Sequence, residues 1–484
     1  MKKISIILFA SSLIFSGCKK GFLDINSTPN NPTSVPPSVI LPNTTIAIAF
    51  ANGNDLNRAA SVLVQHTAGI ANQVQAYDIF NLDGSFDNQW NFEIYNGALN
   101  NLEVLISATA LASPAYSGIA KLQKAYVLSL ATDLWGDVPY SQAGKGLVFE
   151  TPRFDKQEDI YQGNSALQIT SLIDLVKDGI ADLGKTSALK PGTKDDLVYK
   201  GVLPSWIRAG NTLLLKFAIQ IANRNPALAK STIQAVITGN NYINANTLDL
   251  EVPFGSAVGN RNPIFDFNNN LRTGDMMLSA RLLTLSRSLN DTVRLAKFFT
   301  KPNGVFTGFN NGSTAAAPAL ASRSKYNTYL TGAVGGEAPI RLLTFAQVNF
   351  ILAEAALTLQ TTGDPNTYYQ AGITASMQKV GMTAAEITTY FTTNPTVVNL
   401  AGTNAQKLEQ IITQKYISWI GNGIEAYNDY RRTGYPLLAL PLNTQGDNPN
   451  VIPTRLPYTS AELARNPNAP RPRPKTDVKL WWAL

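Results

Sequence analysis

Along most of this chain apolar residues recur three or four positions apart, the spacing of a helix with one buried face, while the strict alternation of a half-buried strand is scarce. Residues 121–134 place Leu122, Ala125, Leu128 and Ala131 on one face with Tyr126 and Leu130 beside them, which predicts a helix buried over a wide stripe. Residues 343–360 repeat the pattern with Phe345, Val348, Leu352, Ala355, Ala356 and Leu359, whose small members allow close helix contact. Residues 408–432 carry Ile411, Ile412, Tyr416, Trp419, Ile420, Ala426, Tyr427 and Tyr430, broken by Gly421-Asn422-Gly423, where a helix-to-helix corner is expected. Weaker helical patterns cover 55–75, 90–110, 159–183, 204–223 and 226–237. Between them lie Gly-, Asn- and Pro-rich stretches at 251–273, 301–338 and 440–474, too long for idle loops and so expected to bind something or cover a surface. The expected fold is all-α, a single large helical domain over residues 41–484 with long irregular loops.

Small residues such as Ala353, Ala355 and Ala356 in paired helices suggest tetratricopeptide-like hairpins, although no clean repeat of roughly 34 residues recurs. The N-terminus follows other rules. Met1-Lys2-Lys3 precedes an apolar stretch at 4–17 that is too short to cross roughly 30 Å of hydrocarbon as a helix, and residues 1–17 read as a signal peptide. The stretch ends in Phe15-Ser16-Gly17-Cys18, which resembles the lipobox of bacterial lipoproteins and makes Cys18 the lipid attachment site. Residues 18–40 then form a tether, because Asn26-Ser27-Thr28-Pro29-Asn30-Asn31-Pro32-Thr33 sustains neither helix nor ladder; Phe22-Leu23 is expected to pack back onto the domain.

Forty Lys and Arg against 33 Asp and Glu leave +7, but only 15% of residues are charged, against about 25% in an average domain. This is a small surplus and not the basic stripe of a nucleic-acid binder, so no nucleic-acid partner is expected. One His and one Cys exclude a disulfide framework within the chain and zinc sites built on several such ligands. His66, among Val62, Leu63, Ala68 and Ile70, reads as a satisfied helix histidine. Asp83, Ser85 and Asp87 begin like a calcium loop, but Asn88 and Ile94 stand where Gly and Glu are required, so the segment reads as a turn. Asp174, Asp178 and Asp182 read as a solvated helix face, and Pro470-Arg471-Pro472-Arg473-Pro474 as an exposed extended run. Neither a metal nor a cofactor is expected.

Two segments turn sharply out of helices. One is Ala131-Thr132-Asp133-Leu134-Trp135-Gly136-Asp137-Val138-Pro139-Tyr140-Ser141-Gln142-Ala143; the other is Tyr427-Asn428-Asp429-Tyr430-Arg431-Arg432-Thr433-Gly434-Tyr435-Pro436. After the second come Ile452-Pro453-Thr454-Arg455-Leu456-Pro457-Tyr458 and Lys479-Leu480-Trp481-Trp482. This set, in this order and behind a lipobox, resembles the SusD/RagB family of outer-membrane lipoproteins of Bacteroidetes, over nearly the whole mature chain. The resemblance implies a helical fold with tetratricopeptide-like pairs. It also implies a lipid-anchored protein of the outer membrane's cell-surface face that binds oligosaccharide or another nutrient and partners a SusC-type TonB-dependent transporter. The bottom-up reading of the motifs themselves is structural: Trp135 and Tyr140 as core, Asp133 or Asp137 as turn acceptors, Arg431 and Arg432 as buried pairs.

Candidate ligand-binding residues are Tyr77, Trp90, Asn91 and Tyr95, flat rings and an amide at a loop-to-helix entry, suited to stacking on sugar rings and bonding hydroxyls. The loop at 301–338, with Phe306, Phe309, Asn310, Asn311, Tyr326 and Tyr329, is the second place of this chemistry. No catalytic residue is singled out. Two rival readings are a surface glycoside hydrolase, which needs two carboxylates about 5–10 Å apart, and a scaffold that only stabilises a transporter complex. No nucleophile elbow or phosphate-binding glycine loop is present.

Overall fold

In a computed structural model, residues 35–484 are described. The signal peptide 1–17, Cys18 and the first part of the tether, with Phe22-Leu23, lie outside the described residues. The first helix among the described residues, α1 (Pro37–Gly53), begins inside the segment expected to be tether. Proline at the first helical position explains this start, since its missing N–H is one the first turn cannot use.

Helix α2 (Asp55–Leu63) is shorter than the periodicity over 55–75 suggests. The chain leaves it to form a strand, Thr67–Gly69, paired antiparallel with Met276–Leu278, before α3 (Asn72–Asp78). The pairing partner lies two hundred residues away, so local spacing could not announce the break. A π-helix, Gln89–Leu99, runs directly into α4 (Asn100–Thr109). Helix α5 (Pro114–Trp135) is 22 residues long and buried on nearly every side. The pattern over 159–183 is split between Gln157–Gln162, which ends at Gly163 with φ +82°, and α6 (Leu172–Leu183), whose N-cap Ser171 accepts from Asp174 N at 2.9 Å. There follow α7 (Leu203–Gln220), α8 (Pro226–Gly239), α9 (Phe345–Thr358), α10 (Pro365–Lys379), α11 (Asn404–Ser418) and α12 (Gly423–Thr433). Gly421 and Asn422 make the corner between the last two, as expected.

The architecture is helical, with α7 packed on α8 and α9 on α10 as tetratricopeptide-like hairpins. Helices α5 and α6 cross with bare backbone between them: a methyl group on Gly118 would lie 2.7 Å from the carbonyl of Gly179. Strand structure among the described residues is confined to two-stranded pairs that pin loops: Thr67–Gly69 with Met276–Leu278, Val138–Pro139 with Phe154–Asp155, and Leu250–Val252 with Ile340–Leu343.

The two motif segments prove to be structural. Trp135 is fully buried, its indole N–H donating to the Pro457 carbonyl at 2.9 Å, and Tyr458 Oη donates to the Asp137 carbonyl at 2.7 Å. Leu456 N donates to Leu134 O at 2.8 Å, so the 452–458 segment is laid along the end of α5. Tyr140 Oη donates to Thr170 O at 2.9 Å, and Asp137 Oδ1 accepts from Gln157 N at 3.0 Å. Asp133 is not a turn acceptor; it is buried and accepts from Tyr161 Oη at 2.8 Å and Asn428 Nδ2 at 3.2 Å. Its burial, partly offset by Lys216 and Tyr161, pushes the carboxyl up to about 6. Arg432 grips both oxygens of Glu354 and donates to Asp429 at 2.9 Å, while Lys415 holds the same Asp429 oxygen at 2.9 Å. Burial works against ionisation of Asp429, yet Lys415 and Arg432 outweigh it and hold the carboxyl below its ordinary value.

Three smaller expectations need correction. His66 is buried, but it lies just beyond α2 and is only half satisfied: Nε2 meets the Tyr416 carbonyl at 3.0 Å and Nδ1 has no partner. Burial lowers its pKa to about 3, against the opposing pull of that carbonyl. Asp182 is not on a solvated face; it is buried against Lys121 at 2.7 Å and Lys185 at 2.6 Å, whereas Asp174 is exposed. Arg473 is half-buried, pairing with Asp83 at 2.7 Å; Asp87 Oδ1 accepts from Ala461 N at 3.2 Å, so the acidic turn is tied to the C-terminal segment.

Candidate functional site

The π-helix sets the site. Its wider turn stacks Trp90, Asn91, Tyr95 and Asn96 along one side, and α4 continues the row with Asn100 and Val104. Opposite stands the loop between the Val138–Pro139 and Phe154–Asp155 strands, whose base is clamped by one carboxylate. Asp155 accepts from Tyr140 N at 3.2 Å, Ser141 N at 2.5 Å, Ser141 Oγ at 3.0 Å and Arg153 Nε at 2.6 Å. The tip beyond that clamp carries Leu147, Val148 and Phe149 out into solvent. A short C-terminal helix, Ser460–Arg465, brings Glu462 and Arg465, with Asn466 just beyond it, to the third side. These elements enclose an open cleft of about 510 Å³.

The cleft is polar at its rim and aromatic beneath. Asn100 Nδ2 donates to Asn96 Oδ1 at 3.1 Å, and Asn466 Nδ2 donates to Pro152 O and to Glu462 Oε1, each at 2.8 Å. Trp90 sits 4.9 Å from Tyr95, 5.1 Å edge-on to Trp135 and 6.3 Å from Phe154. Tyr95 Oη donates to Pro139 O at 2.9 Å, and burial holds its phenol far above the ordinary value. Among the described residues no group of three or more acidic, His or Cys side chains is placed to hold a metal ion. What this arrangement offers a ligand is amides, an arginine, the carboxylates of Glu150 and Glu462 and apolar surface, groups that bond hydroxyls and cover the C–H face of a sugar ring.

Of the four candidates from sequence, three line this cleft and one does not. Tyr77 has none of its surface exposed; it lies on the inner face of α3, stacked on Phe86 at 5.4 Å, and no ligand can reach it. Trp90 is 2% exposed, its ring faces spent on other aromatics, so it forms the floor and not a platform. Asn91 and Tyr95 are half-buried at the wall. Sequence reasoning missed Asn96, Asn100, Phe149, Glu462, Arg465 and Asn466. The asparagines had a signal, four residues apart on the continuation of the same helix; the C-terminal trio had none, since only the tertiary fold brings it there.

The second sequence candidate, the loop at 301–338, is mainly fastened down. Phe309 and Tyr326 are buried, and so is Asn311. The Asp78 carboxylate, at the end of α3, accepts from Asn311 Nδ2 at 2.6 Å, Gly312 N at 2.8 Å and Gly69 N at 3.0 Å. Asn311 also donates to Thr67 O at 2.9 Å and accepts from Ser279 Oγ at 2.6 Å, so its amide cannot turn over without losing both. Asp78→Asn places an N–H against the Asn311 N–H and is expected to cost about 1–3 kcal/mol. Burial, against these three donors, pushes the Asp78 carboxyl up to about 7 from 3.8. Between those values the native state holds a proton that the unfolded state has released, so this residue's contribution to stability is full at low pH and is lost as pH rises toward 7. Denaturant titrations at pH 4, 5.5 and 7 should therefore show the gap between native protein and Asp78→Asn narrowing as pH rises.

Comparison with known proteins adds identity to this geometry. The model of the SusD-like family, described as starch-binding and associating with the outer membrane, matches residues 29–459. No curated protein matches the chain. Among solved structures, a chitin-binding protein is similar at 25% identity with a TM-score of 0.78, covering 93% of this chain and 100% of its own. A chitin-binding SusD homologue from Flavobacterium johnsoniae is 22% identical with a TM-score of 0.74, covering 93% of this chain and 97% of its own. A SusD homologue from Bacteroides uniformis is 22% identical with a TM-score of 0.73, covering 93% and 99%.

Proposed function

The chain belongs to the SusD-like family of starch-binding proteins that associate with the outer membrane, and from that premise we propose that it captures an oligosaccharide at the cell surface and passes it to a SusC-type TonB-dependent transporter. The observation that carries the ligand side of this reading is the cleft of about 510 Å³, where Asn91, Asn96, Arg465 and Phe149 converge from three separate elements over an aromatic floor. Members of the family are carbohydrate-binding proteins and not enzymes, which removes the hydrolase reading. The chitin-binding neighbours make chito-oligosaccharides as reasonable a ligand class as malto-oligosaccharides.

The anchor in this reading is lipid on Cys18. Among the described residues no helix is long and apolar enough to cross a membrane, so membrane association falls to the N-terminus or to a partner. Cys18→Ala, expressed in a host lacking the transporter, is expected to leave the outer-membrane fraction; a variant that still sediments with that membrane would refute lipid anchoring. Purification of the transporter from detergent extracts tests the partnership: native protein should follow it, and separation of the two under mild conditions would count against a complex.

A further inference from the structure

Three segments of the chain meet at the end of the molecule where α1 begins. Helix α1 runs antiparallel to the π-helix: Asn54 Nδ2 donates to Glu93 Oε1 at 2.9 Å, and a methyl on Gly97 would lie 3.0 Å from the Ala47 Cβ. Helix α4 continues along α1, so Pro37 comes level with the end of α4. The residues after α4 are stitched to the 184–202 connection between α6 and α7, where Ala188 N donates to Ala112 O at 2.8 Å and Leu189 N to Ser113 Oγ at 3.2 Å. That connection folds back on itself: Gly201, with φ +87°, crosses so close that a methyl on it would lie 2.5 Å from the Pro191 carbonyl oxygen. Lys190 and Lys200 flank the crossing, and Val202 follows it.

The surface of this end is apolar and basic. Val39, Leu111, Leu189 and Val202 are each more than half exposed. Lys185, Lys190, Lys194 and Lys200 are exposed as well, and the last three enter no ion pair among the described residues. The connection's own acids are turned inward. Asp195 accepts from Tyr116 Oη and from Gly192 N at 2.8 Å; Asp196 accepts from Trp206 Nε1 at 2.9 Å and from Gly201 N at 2.8 Å. Neither 35–54 nor 104–120 contains an acidic residue. The exposed acids of α6, Asp174 and Asp178, lie further from this end, and Lys177 meets Asp174 at 3.6 Å.

Lysines set among exposed apolar side chains match a membrane surface, where phosphate headgroups take the ammonium groups and the apolar side chains enter the boundary with the acyl chains. The position of the face agrees. Residues 19–34 span at most roughly 60 Å even fully extended, so a lipid on Cys18 holds this end of the molecule nearest the membrane. We infer that this end is a docking face for phosphate-bearing lipid headgroups; the membrane as its occupant rests on the lipid-anchored reading above, whereas the face itself does not. Its lysines are screened by salt, so the face holds weakly alone and sets which way a tethered chain points.

Sedimentation of the chain without residues 1–18, which carries no lipid, tests the face apart from the anchor. The vesicles are about three parts phosphatidylcholine to one part phosphatidylglycerol, against phosphatidylcholine alone. The expected result is at least tenfold tighter binding to the phosphatidylglycerol vesicles at low salt, weakening as salt rises. Lys190→Glu/Lys194→Glu/Lys200→Glu should weaken it about a hundredfold, since each lysine at such a surface is worth roughly fivefold. Lys156→Glu/Lys230→Glu/Lys475→Glu makes the same change of net charge at exposed positions elsewhere and should stay within about threefold of the native chain. Leu189→Ser/Val202→Ser should remove the binding that survives high salt. Thermal melts check that every variant is folded. No preference for the phosphatidylglycerol vesicles, or equal losses in the two triple variants, would overturn the face whatever Cys18 does. Vesicle binding as expected, with Cys18→Ala and the native chain fractionating alike, would keep the face and remove the lipid. Absence of vesicle binding, with the first triple variant no longer following the transporter, would give the face to a protein partner and overturn the proposal.

Discussion

Replacing Arg432 by Met lowers the stability of the folded chain by about 3–5 kcal/mol, with a fall in the thermal midpoint of about 3–5 °C if a chain of this length melts cooperatively. The guanidinium is 2% exposed and serves two carboxylates, Glu354 on α9 and Asp429 on its own helix, and Asp429 is shared with Lys415 on α11. Three helices therefore meet on one charge cluster whose members are buried away from bulk solvent. Removing the arginine strands Glu354 in the interior with no cation, and that uncompensated charge accounts for most of the expected loss. The control follows from the same reasoning. Arg432→Met combined with Glu354→Leu removes the pair together and should lose clearly less than the sum of the two single changes, measured by denaturant unfolding. Additive losses would mean that the pair is not coupled and that the motif's arginine acts through packing alone.

The second large effect concerns binding. Phe149→Ala is expected to weaken oligosaccharide affinity about tenfold, roughly the free energy of losing one apolar ring against the ligand. Phe149 is 37% exposed on a loop whose base is held independently by Asp155, so its removal should leave the folding stability within about 0.5 kcal/mol of that of the native protein. Trp90→Ala makes the contrast: with the ring 2% exposed among Tyr95, Trp135 and Phe154, it should cost about 3–5 kcal/mol of stability. Calorimetry and thermal melts on both variants separate a contact residue from a foundation residue. If Phe149→Ala binds as the native protein does, the loop tip is not part of the ligand's environment.

Helical periodicity found α9 and α12 almost to their ends and most of α5 and α11, whose first seven and first four residues it missed, because each buries an apolar face over several turns and the signal accumulates. It failed between Leu63 and Asn72, where a strand pairs with the distant Met276–Leu278, and between Gln162 and Leu172, where Asn164 and Ile169 bridge each other across a tight local turn. The motif around Trp135 was legible as structure from its turn residues alone, but that Arg455, Leu456 and Tyr458 would stitch themselves to it was not, since those contacts span over three hundred residues. The same distance explains the site. Trp90, Asn91 and Tyr95 were accessible to reasoning because the π-helix presents them together. Glu462, Arg465 and Asn466 were not, and Tyr77, which looks the same as Tyr95 in sequence, differs only in which way its helix faces.

As a member of a carbohydrate-binding family, this chain should hold carbohydrate without cleaving it. Calorimetric titration of the mature protein against malto- and chito-oligosaccharides and their polymers, with reducing ends assayed in the same samples, tests it most directly. The expected result is saturable heat for at least one sugar class and a reducing-end count that stays constant over the hours of the titration. Release of new reducing ends, or the absence of binding to any glycan offered, would contradict it.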